Sequence, residues 1–340
     1  MKYRPLADTG LFVSELCLGT MTFGGSAPIW ATIGGLDQSA ASAIVHAALD
    51  AGINFIDTAN VYSAGESETM VGRALQGKRH QVVLATKVRG RMGPGPNEVG
   101  LSRLHILESV EASLKRLGTD YIDLYQIHRA DPLTNLEDTL RALDELVRSG
   151  KVRYIGCSNL DAWVLMKALA ISRAEHLERF RCSQSYYSLV GRDLERDTLP
   201  LLRDQGLGLL VWSPLAGGFL SGKFTRSGGD EASRRAKFDF PPVDKEKGFA
   251  VLDALGPIAR RRGASVAQIA LAWLLAQGAV TSVIIGARKL SQLEDNLRSV
   301  DVALTEEERK ALDEVSRLPP GYPAWMDALG SDRRPGERRY

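Results

Sequence analysis

INFIDTANVY, Ile53 to Tyr62, sets a short apolar run with the pattern of a buried strand ahead of Asp57 and a loop that carries Tyr62. The same order recurs along the chain: an apolar run ending in polar residues, a loop bearing Gly or Pro, then an amphipathic segment. Repeated β-then-α units imply a parallel sheet, because parallel strands need a long crossover between them. The runs are ELCLG near Leu16, NFIDT near Ile56, VVLATK ending at Lys87, YIDLYQIH ending at His128, VRYIGCS ending at Ser158, RCSQSYY near Gln184, LGLLVWS ending at Ser213 and TSVIIG ending at Gly286. They number eight, the count that closes a (β/α)8 barrel of the TIM type.

Helical spacing fills the intervals. In LHILESVEASLKRLG, Leu107, Val110, Leu114 and Leu117 share a face and Gly118 supplies a stop. NLEDTLRALDELVRSGK repeats the pattern with Leu136, Leu140, Leu143 and Val147 before Gly150. After the seventh run the alternation breaks at Lys223 to Gly248, a polar stretch with Gly and Pro that reads as an inserted, mobile loop. The basic tail SDRRPGERRY from Ser331 lacks apolar periodicity and reads as a solvated, frayed end.

The 340 residues are 44% hydrophobic and 25% charged, enough for one large barrel or two domains. Lys plus Arg (43) against Asp plus Glu (41) leaves +2, too balanced for a general nucleic-acid or anionic-membrane surface. Cys17, Cys157 and Cys182 show no metal-ligand spacing and lie in apolar runs, so they read as buried free thiols suited to a reducing cytoplasm, and no metal site is expected. The polar N-terminus has no signal-like apolar region, and no run approaches the ~18 to 20 apolar residues of a membrane span. The expectation is a soluble cytoplasmic protein.

In a parallel barrel, chemistry collects where the strands end. Alternation puts Asp57 on one face with Phe55, Lys87 with Ala85 and Val83, and His128 with Gln126 and Leu124, so that acid, amine and imidazole meet at one mouth. Tyr62, in the loop after the second strand, hangs over it. Singly each has an ordinary structural use: Asp57 as a turn cap, Lys87 as a snorkelling amine, His128 as a core histidine, Tyr62 as a loop anchor. Jointly, at the ends of consecutive strands, they make chemical sense. Tyrosine, with a reference pKa of about 10, is a weak donor unless a nearby ammonium lowers that value. Lys87 is that ammonium, Asp57 holds it charged, and His128 donates a hydrogen bond to a carbonyl oxygen gaining negative charge. No activated Ser or Cys and no metal cluster stands ready to attack the carbon, which leaves a cofactor hydride.

No G-x-G-x-x-G fingerprint exists. WSPLAGGFLSGK, Trp212 to Lys223, comes near a P-loop, but Phe224 stands where Ser or Thr would hold magnesium. Its small residues still allow a pyrophosphate to approach the backbone, and Trp212 offers a stacking face. Arg288, Gln292 and Asn296 recur at steps of four, the spacing of one helical face suited to phosphate and adenine edges.

DTANVYSAGESE, ATKVRG, DLYQIH, IGCSN, WSPLAGGFLSGK and IIGARKLSQLEDNL, in this order, resemble the aldo-keto reductases from about Lys2 to Leu318. Within them the chain looks like the bacterial aryl-alcohol-dehydrogenase-like branch, which is also similar to potassium-channel β-subunits. The resemblance implies a (β/α)8 barrel over 1–318, with an inserted loop after strand 7 and a C-terminal extension over 319–340. It implies extended binding of NADP(H) and places the catalytic tetrad on Asp57, Tyr62, Lys87 and His128. Gly19, Thr20 and Met21 would line the cofactor, with Asp57 beside it, and Ser158, Asn159 and Gln184 would bond its carboxamide. Trp212 matches the aromatic that stacks on the nicotinamide, although the family often has Tyr or Phe there. Ser213, Pro214, Leu215, Gly217 and Lys223 match the pyrophosphate stretch. Gly286, Arg288, Gln292, Glu294 or Asp295, and Asn296 match the adenosine end, with Arg288 the partner of a 2′-phosphate.

The expected activity is reversible hydride transfer between NADPH and an aldehyde or ketone. Aromatic and apolar loop residues point to a ring-bearing or bulky substrate near Trp30, Tyr62, His128 and Trp325. The alternatives are a redox-sensing NADP(H)-binding partner subunit, against which stands the lack of an extra N-terminal effector segment, and a barrel lyase or isomerase using Lys87 as a Schiff-base nucleophile. The partner expected is a small carbonyl compound or alcohol, with no nucleic acid and no membrane. Outward-facing helices are compatible with a homo-oligomer.

Overall fold

Strand order in the computed structural model follows the sequence, and its residues 1–25, 28–226, 228–229 and 234–329 are described here. A hairpin, β1 (Tyr3–Pro5) and β2 (Phe12–Ser14), precedes the barrel. The barrel strands are β3 (Leu16–Gly19), β4 (Phe55–Asp57), β5 (Val83–Val88), β6 (Ile122–Ile127), β7 (Val152–Ser158), β8 (Cys182–Tyr186), β9 (Gly208–Trp212) and, after a short hairpin of β10 (Phe224–Thr225) and β11 (Gly228–Gly229), β12 (Val280–Ile285). β12 pairs in parallel with both β3 and β9, which closes the barrel. All eight runs read from the sequence are these strands.

Alternation along each strand divides the core in two. Cys17, Phe55, Val83, Ala85, Leu124, Cys182, Leu210 and Ile284 fill the barrel interior, where Leu6 and Val13 of the first hairpin join them. Arg4 donates to the carbonyl of Val280, where β12 begins, so the hairpin plugs the end at which the strands start. The intervening residues, such as Leu16, Leu18, Ile56, Leu84, Tyr125, Ile127, Ile155, Val211 and Ile285, pack outward under the helices.

The helices start and stop as their ends dictate. Ser102 caps Arg103–Leu117 by accepting from the His105 amide, and Gly118 ends it at φ 61°. Asn135 caps Leu136–Arg148 through the Glu137 amide. The inserted segment is shorter than its composition suggests, since Asp244 accepts from the Lys247 amide and starts a helix at Lys245–Arg262. Before it come the β10–β11 hairpin and a short helix, Arg234–Lys237. Buried Arg235 ties this segment to the barrel by donating to the Ala216 carbonyl at 2.6 Å and that of Pro241 at 2.8 Å. The basic tail 331–340 lies outside the described residues. Among the described residues, no helix is long and apolar enough to cross a membrane.

Candidate active site

β4, β5 and β6 end side by side and bring the four proton-handling groups together. In register, Asp57 lies opposite Ala85 and Lys87 opposite Gln126. Fully buried Lys87 donates through Nζ to Asp57 Oδ2 at 2.5 Å, to the Thr58 carbonyl at 2.9 Å and to Tyr62 Oη at 3.4 Å. Tyr62 opens a 3-10 turn whose next two residues, Ser63 and Ala64, sit at φ 49° and 54°, a left-handed bend that costs non-glycine residues energy. Ser63 Oγ secures that bend on the Phe23 carbonyl. The His128 ring meets Tyr62 edge-on at 5.8 Å, and the Trp30 ring lies 5.7 Å from it on a short helix, Pro28–Ile33. Trp30, Tyr62, Lys87, Asp57 and His128 are therefore one cluster.

The electrostatics match part of the expectation. Burial works against the Lys87 charge, but Asp57 and Tyr62 outweigh it and its pKa is raised, so the amine stays protonated. That disfavours Lys87 as a Schiff-base nucleophile, which needs a depressed value. For Tyr62 burial is the larger effect, and Lys87 offsets it only in part, so its pKa is raised rather than lowered. The expected lowering fails because a phenolate inside the protein loses more hydration than one ammonium at 3.4 Å returns. Tyr62 is a phenol held ready to donate. Burial, with Lys87, Arg129 and Arg89, pushes His128 down to about 3, so the imidazole is neutral and keeps one ring N–H to donate in a hydrogen bond.

The other side of the mouth is built from backbone. Gly19 ends β3 where a Cβ would meet Ile284 Cγ2 at 2.6 Å, and Thr20 donates its hydroxyl to the Asp57 carbonyl. Met21 follows, partly exposed. From Ser213 (φ 51°) through Ala216 (φ 48°), Gly217 (φ 64°), Gly218 (φ 96°) and Gly222 (φ 81°), the chain after β9 turns through left-handed conformations. Pro214 and Leu215 lie within this turn, and exposed Lys223 follows it. Trp212 donates its indole N–H to Asn159 Oδ1 at 2.9 Å, and its ring stacks on Phe240 of the inserted segment at 5.8 Å. Asn159, itself at φ 53°, donates to the His128 carbonyl and to Ser158 Oγ.

Three placements differ from the sequence reading. Arg288 precedes the helix Leu290–Leu297, so only Gln292 and Asn296 share its face, and Gln292 Oε1 instead accepts the Arg288 amide at 2.8 Å. The Arg288 guanidinium has no hydrogen bond or ion pair among the described residues, and Gly286 beside it is exposed. Asp295 is occupied elsewhere, accepting from Ser265 Oγ at 2.8 Å and Gln268 Nε2 at 2.7 Å at the start of a neighbouring helix. Trp325, exposed, pairs with Tyr322 and, among the described residues, makes no ring contact with the tetrad.

Residues 15–317 match the Aldo/keto reductase family. The chain belongs to this family. It is 40% identical over 333 residues to the Bacillus subtilis protein named Uncharacterized oxidoreductase YrpG, covering 94% of this chain and 98% of that one. It is 37% identical to a Probable voltage-gated potassium channel subunit beta of rice, over 89% and 92% of the two chains. It is 36% identical to the Versiconal hemiacetal acetate reductase of Aspergillus parasiticus, over 92% and 96%.

In this aldo/keto reductase the sequence reading passed over several groups at the mouth. Buried Gln126 and Gln184 both donate to Asp57 Oδ1, at 3.2 and 2.8 Å, so Gln184, expected at the carboxamide, is engaged in supporting the acid. Gln126 fits because Gly156 lies opposite it in register, where a Cβ would meet Cys182 Sγ at 2.8 Å and Gln126 Cγ at 3.2 Å. Its spacing two residues before His128 was the available signal. Arg89, immediately past β5, and Arg129, two residues past β6, line a cleft of about 290 Å³ with Gly90, His128 and Asn159. Nothing in the sequence marked Phe240. The three cysteines are free and buried, and burial pushes the Cys157 thiol up to about 12.

Proposed function

We propose that this oxidoreductase reduces an aldehyde or ketone with NADPH, reversibly, and that Tyr62 donates the proton. The observation that carries the reading is the buried contact of Lys87 Nζ with both Asp57 and Tyr62 Oη at the barrel mouth. The residues fit the cofactor: the left-handed turn from Ser213 to Gly222 keeps backbone close to the surface, and Arg288 has a guanidinium with no partner among the described residues. Ser158, Asn159 and Gln184 would hold the carboxamide, Trp212 would face the ring, and Arg288 with Gln292 and Asn296 would take the adenosine end. Bound there, NADPH supplies the hydride.

The chain's own work is with the oxygen. His128 Nε2 or Nδ1, neutral, donates a hydrogen bond to the carbonyl oxygen and orients it. Tyr62 Oη gives its proton to that oxygen as charge builds, and the Lys87 ammonium, fixed by Asp57, stabilises the phenolate left behind. Gln126 and Gln184 hold Asp57 so that it faces Lys87.

The test is Tyr62→Phe, followed as NADPH oxidation with a small aromatic aldehyde. Turnover is expected to fall by about 10³-fold, within the range for losing a positioned acid. Turnover within a few-fold of wild type in a folded variant would remove Tyr62 from the role. The similarity to a protein named as a channel β-subunit supports a second reading, a redox-sensing partner, for which co-purification with a membrane protein is the measurement.

A further inference from the structure

The cleft beside His128 is walled by two guanidiniums, and neither is matched by an acid. Arg129, exposed, makes no hydrogen bond or ion pair among the described residues, and Arg89 makes one contact, through Nε to the Ala130 carbonyl at 3.3 Å. Other arginines of this protein are committed: Arg79 to Asp123, Arg116 to Glu68, Arg192 to Glu195 and Arg262 to Glu308. Asp131 is near enough to act on Arg89, but its oxygens are spent on the amides of Leu101 and Leu133 and on Thr134 Oγ1 at 2.6 Å. Burial and the charge of Arg129 both depress Arg89, the mark of two cations that repel each other. An anion between them relieves that repulsion.

In the reading proposed above, the cofactor's phosphates would lie elsewhere. Arg89 follows β5 and Arg129 follows β6, whereas the turn after β9 and Arg288 after β12 lie across the barrel. His128, which faces the reacting oxygen in the proposed mechanism, lines the cleft together with both arginines.

We infer that the carbonyl compound this protein reduces carries a carboxylate, which Arg129 and Arg89 hold in the cleft beside His128. The inference rests on the reductase reading above and names the substrate class for that site. A guanidinium suits a carboxylate because its forked N–H donors match the two oxygens. A substrate held so is anchored at one end with its carbonyl turned toward Tyr62 and His128.

The test compares 3- and 4-carboxybenzaldehyde with their methyl esters, using NADPH. In the wild type kcat/KM is expected to favour at least one acid over its ester by about tenfold, the worth of one charge-assisted hydrogen bond. The preference is expected to sit in KM, to fall to near parity in Arg129→Gln or Arg89→Gln, and to return in part in Arg129→Lys. Esters used as well as the acids by the wild type, or a preference that survives in both glutamine variants, would overturn it. If none of the four is reduced, the reductase reading fails, and tryptophan fluorescence titrated with the two acids decides the inference alone. Tighter binding by the wild type than by Arg129→Gln supports it, and equal binding overturns it.

Discussion

The two halves of the barrel mouth are organised by different means. Where β4, β5 and β6 end, buried side chains hold one another: Lys87, Asp57, Gln126 and Gln184 form one hydrogen-bonded set reaching Tyr62. Where β9 and β12 end, much of the shape comes from backbone, in the left-handed run from Ser213 to Gly222, and the Arg288 guanidinium has no partner among the described residues. The first half is rigid before anything binds, which suits groups that must stabilise charge without rearranging. In the reading proposed above, the second is the surface that the cofactor covers. A change on the first side should therefore reduce both turnover and stability, and a change on the second should reduce affinity alone.

The largest effect is expected from Lys87→Met. It removes the cation beside Tyr62 and strands the Asp57 carboxylate among the two glutamine amides. Turnover should drop by about 10³-fold. Breaking a buried ion pair on one side also costs roughly 3 to 5 kcal/mol, so the midpoint of denaturant unfolding should fall with it. A variant that loses turnover while keeping full stability would mean that the Lys87–Asp57 pair is not the rigid element claimed.

Arg288→Ala probes the opposite half. With no partner among the described residues to strand, its loss should leave stability near wild type, since surface substitutions usually stay within about 0.5 kcal/mol. KM for NADPH should rise about tenfold, as expected for one charge-assisted contact, and KM for NADH should stay put. Equal changes for the two cofactors would detach Arg288 from the 2′-phosphate.

The same contrast explains what could be read from the sequence. The barrel was legible because β strands buried on both sides are apolar runs, and eight of them recur between amphipathic helices. Asp57, Lys87 and His128 stood out because each closes such a run. Gln126 shares its face with His128 by strand alternation, but its role as a support of Asp57 needs the space opposite Gly156, which only the register shows. Arg288, Gln292 and Asn296 suggested one helical face because a period of four does not reveal where a helix starts, and Lys289 is its N-cap. The motif leaves Glu294 or Asp295 for the adenosine end, and it does not show that Ser265 and Gln268, distant in sequence, already bond Asp295 at the start of a neighbouring helix. The direction of the Tyr62 shift depends on burial against one charge, and burial is a tertiary quantity.

The smallest effect concerns pH, and it separates the two halves most finely because it leaves the covalent structure untouched. His128 is held down to about 3, by burial first and then by Lys87, Arg129 and Arg89, against an ordinary value of 6.5. Between those values the unfolded chain binds a proton that the folded imidazole refuses, so stability is lost as pH falls below 6.5. At pH near 5.5 that contribution is on the order of 1 kcal/mol, and it should vanish from the difference between pH 7 and 5.5 in His128→Gln. Activity should behave otherwise. Since the neutral ring is the working form and the raised Tyr62 pKa keeps the phenol protonated, kcat for reduction at saturating NADPH should stay flat from about pH 6 to above 9. An inflection near 6.5 that disappears in His128→Gln would show an imidazolium at work, and the guanidiniums would then not be holding the ring neutral.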